Sequence, residues 1–517
     1  MRTSTWASHR KTRIGLDEAV ASYRKALQLK PDHVGALCNM GIVLKDLGQY
    51  DQAVANFRQA LTLQPDLADA HNNLGNLLKD LGQLDEAVAC FRKALAARPD
   101  FAEAHSNLIF TLNYVPGQDA HVLLDEARHF GDTVARRATP FTTWANTRDA
   151  ARPLRIGLVS GDLGNHPVGY FVEGVLAALA ARSAERLSIF VYATRTSNDA
   201  LAERIKASCT GWCSAMGVPD AQLARQIRDD AIDILIDLSG HTGYNRLPMF
   251  AWKPAPVQAS WLGYFATTGV AAIDYLIADP WTLPASEDAH FTEQIWRLPE
   301  TRLCFTPPET EVAVSPLPAI ANGHVTFGCF NNLTKMNDGV VALWSKVLHA
   351  VPGSRLRLKA KQLDEASVRD DVLTRFAAQG IDAGRLTLEG RTPRADYLAS
   401  YGQVDIGLDP FPFTGGTTSA ESLWMGVPVL TLAGDRLVSR QGVGLMQNAG
   451  LADWVASDAD GYVARAVAHA ADLPRLAALR GGLREQVQAS PIFDAQRFAP
   501  LFEAALRGMW TRWCERP

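Results

Sequence analysis

Small and aromatic residues recur every 34 positions along the first hundred residues of the chain. The segments LDEAVASYRKALQLKPD, YDQAVANFRQALTLQPD and LDEAVACFRKALAARPD begin at Leu16, Tyr50 and Leu84. Each segment has the apolar period of an amphipathic helix and reaches a proline, which ends the helix. Between them lie helical segments with a small residue where a neighbouring helix must pack closely: Ala36, Ala70 and Ala104. The pattern predicts a solenoid of stacked helix pairs.

From Leu154 the pattern changes to short β-rich runs that alternate with helical segments. LRIGLVSG, LSIFVYAT, DILIDLSG, VQASWLGY and DYLIAD form a first series, and HVTFGCF, SRLRLKA, RLTLEG, VDIGLD and PVLTL form a second. Alternating strands and helices predict parallel α/β sheets, and two series predict two lobes with a cleft between them. The predicted units are repeats at 1–117, a helical linker at 118–152, a first lobe at 153–315 and a second lobe at 323–517.

Composition narrows the class of protein. A chain of 517 residues is too long for one core, and a net charge of −4 gives no reason to expect nucleic-acid binding. Seven scattered cysteines favour reduced thiols over a disulfide framework. No run of 18 apolar residues occurs, and the first residues lack the apolar core of a secretion signal. We expect a cytoplasmic protein without a membrane partner. The repeat array opens on the second helix of a pair, so the sequence leaves open whether further repeats precede it.

Four polar loops follow predicted strands. They are GDLGNHP at 161–167, SGHTGYN at 239–245, FNNLTK at 330–335 and FPFTGGTT at 411–418. Loops at strand ends are usually polar for structural reasons alone. Because ligands of open α/β sheets bind at the carboxyl ends of strands, four such loops at one cleft indicate a site.

The last of these loops contains Gly415 and Gly416 just before a predicted helix. An ordinary capped loop explains the small residues. An anion site explains them equally, because a helix start offers unpaired N–H groups and glycine allows close approach of a ligand.

Asn39, Asn73 and Asn107 also keep the 34-residue period. A single asparagine of this kind is explained by a helix-packing position that recurs in each repeat. Three in register predict a ladder of amides that holds the backbone of an extended acceptor peptide.

The repeats resemble tetratricopeptide repeats. Together with GNHPVGYF, the block from LSGHTGYNRL to KPAPVQASWLGY, FGCFNNLTK and GGTTSAESLWMGVPVLTL, they resemble the protein O-GlcNAc transferase and SPINDLY family of glycosyltransferases. The resemblance implies an α-helical tetratricopeptide solenoid followed by a two-lobed α/β unit of GT-B type, built from two Rossmann-like domains. It also implies inverting transfer of a sugar from a nucleotide diphosphate to Ser or Thr hydroxyl groups, with no metal or other cofactor.

The same resemblance implies roles for particular residues. Lys335 neutralises the departing diphosphate, His166 positions the acceptor, and His241 is a second catalytic candidate. The hydroxyl proton passes to a histidine, to a phosphate oxygen of the donor or to water. The implied donor-binding residues are Asn332, Arg394, Tyr397, Gly415, Gly416, Thr417, Thr418 and Glu421.

Two departures from the animal enzymes concern the donor. Gly416 and Tyr397 stand where animal O-GlcNAc transferases carry histidine, and the glycine-threonine run is closer to SPINDLY, whose plant members use GDP-fucose. The leading interpretation is transfer of GlcNAc from UDP-GlcNAc to proteins. GDP-fucose is the first alternative donor, and an adaptor with an inactive transferase fold is the second alternative. Asp458 and Asp460 form a short DAD motif, to which we assign no metal.

Overall fold

The computed structural model describes residues 13–516. Its first part is helical, as the 34-residue period predicts. The helices are α1 (Arg13–Leu29), α2 (Val34–Asp46), α3 (Tyr50–Leu63), α4 (Ala68–Asp80), α5 (Leu84–Ala97), α6 (Ala102–Leu112) and α7 (Ala120–Ala135).

Glycine and phenylalanine bring successive repeat helices into close contact. A methyl group at Gly41 would lie 2.8 Å from the Phe57 ring, and one at Gly75 would lie 2.7 Å from the Phe91 ring. Both rings are fully buried, and so are the alanines that the sequence placed at close packing positions. The predicted tetratricopeptide solenoid is confirmed.

The first lobe contains a parallel seven-stranded sheet in the order β3-β2-β1-β4-β5-β6-β7. Hydrophobic strands are buried because helices cover the sheet. The elements are β1 (Leu154–Ser160), α8 (Pro167–Ser183), β2 (Leu187–Ala193), α9 (Ala200–Ala207), β3 (Gly211–Ser214), α10 (Asp220–Asp229), β4 (Ile234–Asp237), α11 (Leu247–Phe250), β5 (Val257–Ser260), β6 (Tyr275–Ala278) and β7 (Gln294–Arg297).

The second lobe contains a parallel six-stranded sheet in the order β10-β9-β8-β11-β12-β13. Its elements are α12 (Pro318–Asn322), β8 (Thr326–Cys329), α13 (Asp338–Ala350), β9 (Arg355–Lys359), α14 (Ala366–Ala377), β10 (Leu386–Glu389), α15 (Arg394–Ala399), β11 (Ile406–Leu408), α16 (Thr417–Trp424), β12 (Val429–Leu432), α17 (Gln441–Asn448), β13 (Val455–Ala456), α18 (Ala459–Ala471), α19 (Leu473–Gln488) and α20 (Ala495–Glu515). Both sheets have Rossmann-like strand order, which confirms the predicted two-lobed architecture.

The repeats pack directly on the first lobe through α6 and α7. A methyl group at Gly131 of α7 would lie 1.8 Å from the Gly269 carbonyl oxygen, so two backbones meet there. Directly after α6, Asn113 Nδ2 donates to the Tyr264 hydroxyl at 3.0 Å. The predicted linker is therefore a helix, α7, fixed on the first lobe, followed by residues without regular structure up to β1.

The helix α20 packs on α8 of the first lobe, although the sequence-based division counts it with the second. Trp261 of the first lobe lies with its ring centroid 4.4 Å from that of Phe502. Trp510 Nε1 donates to the Asp149 carbonyl at 3.0 Å. The boundary at 323–517 is thus corrected, because the chain returns to the first lobe after residue 488.

The cysteines are all free thiols. Within residues 13–516, no helix is both long enough and apolar enough to cross a bilayer.

Candidate functional site

The four polar loops follow the strands at which the order of each sheet reverses. These strands are β1 and β4 in the first lobe and β8 and β11 in the second, and each pair is adjacent in its sheet. At such a point the loops diverge to opposite faces of the sheet and leave a crevice. The two lobes contact each other beside the loop after β11, where Phe413 packs on Phe265 of the first lobe with ring centroids 4.2 Å apart.

The loop after β11 leaves the start of α16 open. Gly416 is the residue before the helix and offers no side chain as a cap. The Gly415 N–H donates to Asp409 Oδ1 at 2.6 Å, and a methyl group at Gly415 would lie 2.1 Å from Ser419 Oγ. Only glycine fits at position 415. The uncapped N–H groups of α16 can donate hydrogen bonds to a phosphate oxygen.

Lys335 lies beside this open helix start. Its Nζ donates to Asn331 Oδ1 and to the Thr414 carbonyl, each at 3.0 Å, and lies 4.1 Å from the centre of the Phe413 ring. Burial lowers the pKa of Lys335 to about 8, and the Asp409 carboxylate opposes that shift. A desolvated ammonium group held by two neutral acceptors interacts strongly with an incoming anion.

Asn331 connects the two loops of the second lobe, and the sequence did not single it out. Its Oδ1 accepts from Lys335 Nζ and also from Thr418 Oγ1 at 2.9 Å. The adjacent Asn332, which the sequence predicted as donor-binding, is exposed and accepts from the Thr334 N–H at 3.1 Å. The sequence shows two neighbouring asparagines after one strand. It does not show which of the two side chains faces the loop after β11, because that depends on the turn that follows.

Glu421 lies one turn into α16 and is 2% exposed. Its Oε1 pairs with Arg394 at 2.6 Å, and its Oε2 accepts from the Tyr397 hydroxyl at 2.9 Å. Burial raises the pKa of Glu421, while Arg394 opposes that shift. Both oxygens are engaged, but a carboxylate has further acceptor sites, so a hydroxyl group of a ligand can add to these contacts or displace one of them.

Tyr397 also borders a cavity of about 240 Å³ in the second lobe. Phe330, Asn332, Gly390 and Arg391 line the same cavity. Aromatic rings with a few polar groups are suited to stacking and orienting a nucleobase. The predicted donor-binding residues Gly415, Gly416, Thr417, Thr418 and Glu421 lie in the loop after β11 and in the first turns of α16.

Arg394 spans the cleft between the lobes. Its guanidinium carbon lies 5.5 Å from the ring centre of Tyr397 and 5.2 Å from that of Tyr170 on α8 of the first lobe. Tyr170 lies in the first turn of α8, and His166 is the residue that precedes this helix. The donor side of the site and the histidine loop are therefore connected through one arginine.

His166 is the residue before α8. Its Nδ1 accepts from the Val168 N–H at 3.3 Å, and its Nε2 lies 3.8 Å from Asp162 Oδ1. The side chain is 38% exposed. Burial lowers the pKa of His166, and the Asp162 carboxylate opposes that shift. With Nδ1 as acceptor, Nε2 carries the proton in the neutral ring and remains within reach of a ligand.

His241 does not fit the catalytic role that the sequence suggested. It is 1% exposed, its Nδ1 lies 3.0 Å from Ser106 Oγ of α6, and its Nε2 lies 3.0 Å from the Thr268 carbonyl. Burial lowers the pKa of His241 to about 3. Both ring nitrogens are used inside the protein, so His241 is a structural residue that joins the repeats to the first lobe.

The periodic asparagines do not form a uniform row of free amides. Asn39 is exposed, whereas Asn73 and Asn107 are half-buried. Asn107 Nδ2 donates to Asn72 Oδ1 at 2.9 Å, so it pairs with the preceding repeat. An extended peptide could contact the amides of Asn39 and Asn73 and the side-chain oxygen of Asn107.

Comparison with known families matches most of the chain. The model of glycosyl transferase family 41 matches residues 130–305 and 312–501. Tetratricopeptide repeat models match residues 16–48, 43–82 and 68–101.

Individual relatives agree with these matches. A probable UDP-N-acetylglucosamine–peptide N-acetylglucosaminyltransferase SPINDLY of Hordeum vulgare is 38% identical over 412 residues, which cover 79% of this chain and 43% of the relative. The UDP-N-acetylglucosamine–peptide N-acetylglucosaminyltransferase of Caenorhabditis elegans is 24% identical, over 70% of this chain and 41% of its own length. The chain thus spans less than half the length of these curated relatives.

A solved structure matches nearly the whole chain. A mutant of the Thermobaculum terrenum O-GlcNAc transferase superposes with a TM-score of 0.91 at 36% sequence identity. The match covers 99% of this chain and 97% of the other. Repeats and both lobes are therefore shared in one arrangement.

Proposed function

The chain belongs to glycosyl transferase family 41, and we propose that it transfers GlcNAc from UDP-GlcNAc to Ser or Thr hydroxyl groups of proteins, with inversion and without a metal ion. The observation that carries the proposal is the meeting of Lys335, Asn331 and the open start of α16 at one place. These groups can neutralise a diphosphate that leaves without a metal partner.

The transfer step requires charge stabilisation at the leaving group. The acceptor oxygen forms a bond to the anomeric carbon while the bond from that carbon to the diphosphate oxygen breaks. The electron pair of the broken bond stays on the diphosphate, and the hydroxyl proton passes to a phosphate oxygen of the donor or to water. Lys335 and the N–H groups of α16 face that developing charge and are fixed before the reaction, which makes them worth most in the transition state. His166, across the cleft, positions the acceptor hydroxyl through Nε2.

A protein acceptor is favoured by the position of the repeats. Asp80, at the end of α4, accepts through its carbonyl oxygen from Thr334 Oγ1 at 3.4 Å and from Gln362 Nε2 at 3.2 Å. Thr334 is the neighbour of Lys335. The repeat solenoid therefore borders the catalytic loop, and a peptide bound along the repeats can reach the cleft.

GDP-fucose remains the second candidate donor. Gly416 and Tyr397, which border the phosphate and nucleobase parts of the site, stand where animal O-GlcNAc transferases carry histidine. Both changes affect the donor side alone, so they leave the protein acceptor in place.

The test measures transfer by the full chain to a panel of Ser/Thr peptides by mass spectrometry. UDP-GlcNAc and GDP-fucose are supplied separately, with and without EDTA. We expect a peptide mass increase of one N-acetylhexosamine with UDP-GlcNAc and no effect of EDTA. A deoxyhexose increase identifies GDP-fucose as the donor. Loss of transfer in EDTA contradicts the metal-free mechanism, and binding of both donors without transfer supports an adaptor.

The periodic asparagines should affect the acceptor and not the donor. We expect Asn73→Ala combined with Asn107→Ala to raise the acceptor KM several-fold, because the lost contacts bind the acceptor equally in the ground state and in the transition state. Hydrolysis of the donor in the absence of peptide should be unchanged. Asn76→Ala, in the same helix but outside the 34-residue period, is the matched control. Equal loss of both activities contradicts an acceptor role for the asparagines.

A further inference from the structure

Three side chains with metal-ligand chemistry meet where the last repeat helix packs on the linker helix. They are His105 of α6 and Glu126 and His129 of α7. In the part of the chain that the structure describes, this is the one such group of three, and its ligand atoms all lie within 4.8 Å of one another. None of the three belongs to the proposed transferase site.

The local helix geometry explains why the side chains converge. Glu126 and His129 are three residues apart in one helix, so they project from the same face of α7. His105 faces them from α6, with its ring centroid 5.2 Å from that of His129. Two helices therefore supply the group, and their packing fixes its shape.

The donor set is that of a borderline-soft divalent ion. Two imidazole nitrogens and one carboxylate oxygen suit zinc, with metal–ligand distances of about 2.0–2.2 Å and a fourth position for water. Ligand atoms of a tetrahedral site are then separated by roughly 3.3 Å. His105 Nε2 and Glu126 Oε1 are 2.7 Å apart, so a modest separation of the two side chains makes room for an ion.

The three side chains differ in solvent exposure, and the most exposed one gives an ion access to the group. The side chain of His105 is 3% exposed and that of Glu126 is 22% exposed, whereas His129 lies at the surface. An ion can enter from the His129 side, and a solvent molecule can complete its coordination.

We propose that His105, Glu126 and His129 bind one zinc-type divalent transition-metal ion with water as the fourth ligand. Without metal, the His105 ring and the Glu126 carboxylate share a hydrogen bond at 2.7 Å. Binding at Nε2 requires the His105 tautomer whose proton is on Nδ1, so the ion replaces the proton between these two side chains.

The bound ion would join α6 to α7 close to their contacts with the first lobe. Ser106, next to His105, contacts His241, and Gly131, two residues after His129, contacts Gly269. The site is therefore structural: it holds the repeats in their position on the transferase and takes no part in sugar transfer.

The test uses the full chain stripped of metal by a chelator and then titrated with zinc in calorimetry. We expect one tight site per chain, and cobalt in its place should give the intense visible absorption of a tetrahedral complex. His129→Gln and Glu126→Gln should each weaken binding at least ten-fold. His121→Gln removes an exposed histidine from the same helix and should change nothing.

Thermal unfolding supplies the second measurement. Zinc in large excess over the dissociation constant should raise the melting temperature of the wild-type chain by a few degrees and should not raise that of His129→Gln. EDTA should remove this shift without stopping sugar transfer, which separates this site from the proposed reaction. Absence of a stoichiometric site, or a site that survives both variants, overturns the proposal and leaves a hydrogen-bonded His–Glu pair only.

Discussion

Lys335→Ala should lower kcat about 100- to 1,000-fold, equivalent to about 3–4 kcal/mol of transition-state stabilisation. The proposed inverting, metal-free reaction concentrates negative charge on the leaving diphosphate, and Lys335 is a half-buried cation held beside the open start of α16. Its loss removes a contact that strengthens as charge develops, so donor affinity should fall less than kcat. Steady-state kinetics with saturating donor and peptide measure the effect.

Two further measurements make this result specific to charge. Lys346→Ala changes an exposed lysine of α13 and should leave kcat unchanged. Because burial lowers the pKa of Lys335 to about 8, the free enzyme loses its ammonium charge as pH rises through that value, and wild-type kcat/KM should decline above pH 8. Near-normal kcat in a well-folded Lys335→Ala variant would show that another group neutralises the diphosphate.

Gly415→Ala should reduce kcat/KM on the order of 100-fold, because a displacement of about 1 Å in a positioned site has an effect of that size. The added methyl group would lie 2.1 Å from Ser419 Oγ and 2.9 Å from Asp409 Oδ1, so the loop and the first turn of α16 must move apart. Thr418, which donates to Asn331, moves with that turn. Kinetics at several donor concentrations test the prediction.

Gly416→Ala is the matched control for this variant. A methyl group at position 416 meets only Gln441 Oε1, at 3.8 Å, which is an ordinary contact. We expect transfer within about ten-fold of the wild-type rate, since the loop keeps its shape. Equal loss of activity in both variants would contradict this explanation. It would mean that glycine is required because the bound donor approaches the backbone closely, and not because the loop is tightly packed.

Much of the fold could be predicted from the sequence, because it depends on local periodicity. The 34-residue repeat gave the stacked helices, and alternating strands and helices gave two parallel sheets. The position of α20 could not be predicted in this way. An amphipathic helix shows which face it buries, but the Trp261–Phe502 contact joins residues far apart in the chain.

The same limit applies to the candidate site. Lys335 and Thr418 come from loops that follow neighbouring strands, so the sequence could place them together. His241 also follows such a strand, but α6 of the repeats covers its loop. Ser106 hydrogen-bonds to His241 Nδ1, so this nitrogen is not free to contact a substrate. The choice between Asn331 and Asn332 depended on one short turn, in which Asn332 accepts from the Thr334 N–H.

The return of α20 to the first lobe affects the order in which the chain can fold during synthesis. Ribosomes release residues 154–297, which supply the whole first sheet, well before they release Ala495–Glu515. Trp261 and the outer face of α8 therefore lack their cover while the entire second lobe is being made. The newly made first lobe stays an incomplete folding unit, with aromatic surface exposed to chaperones, until the ribosome has also released α20.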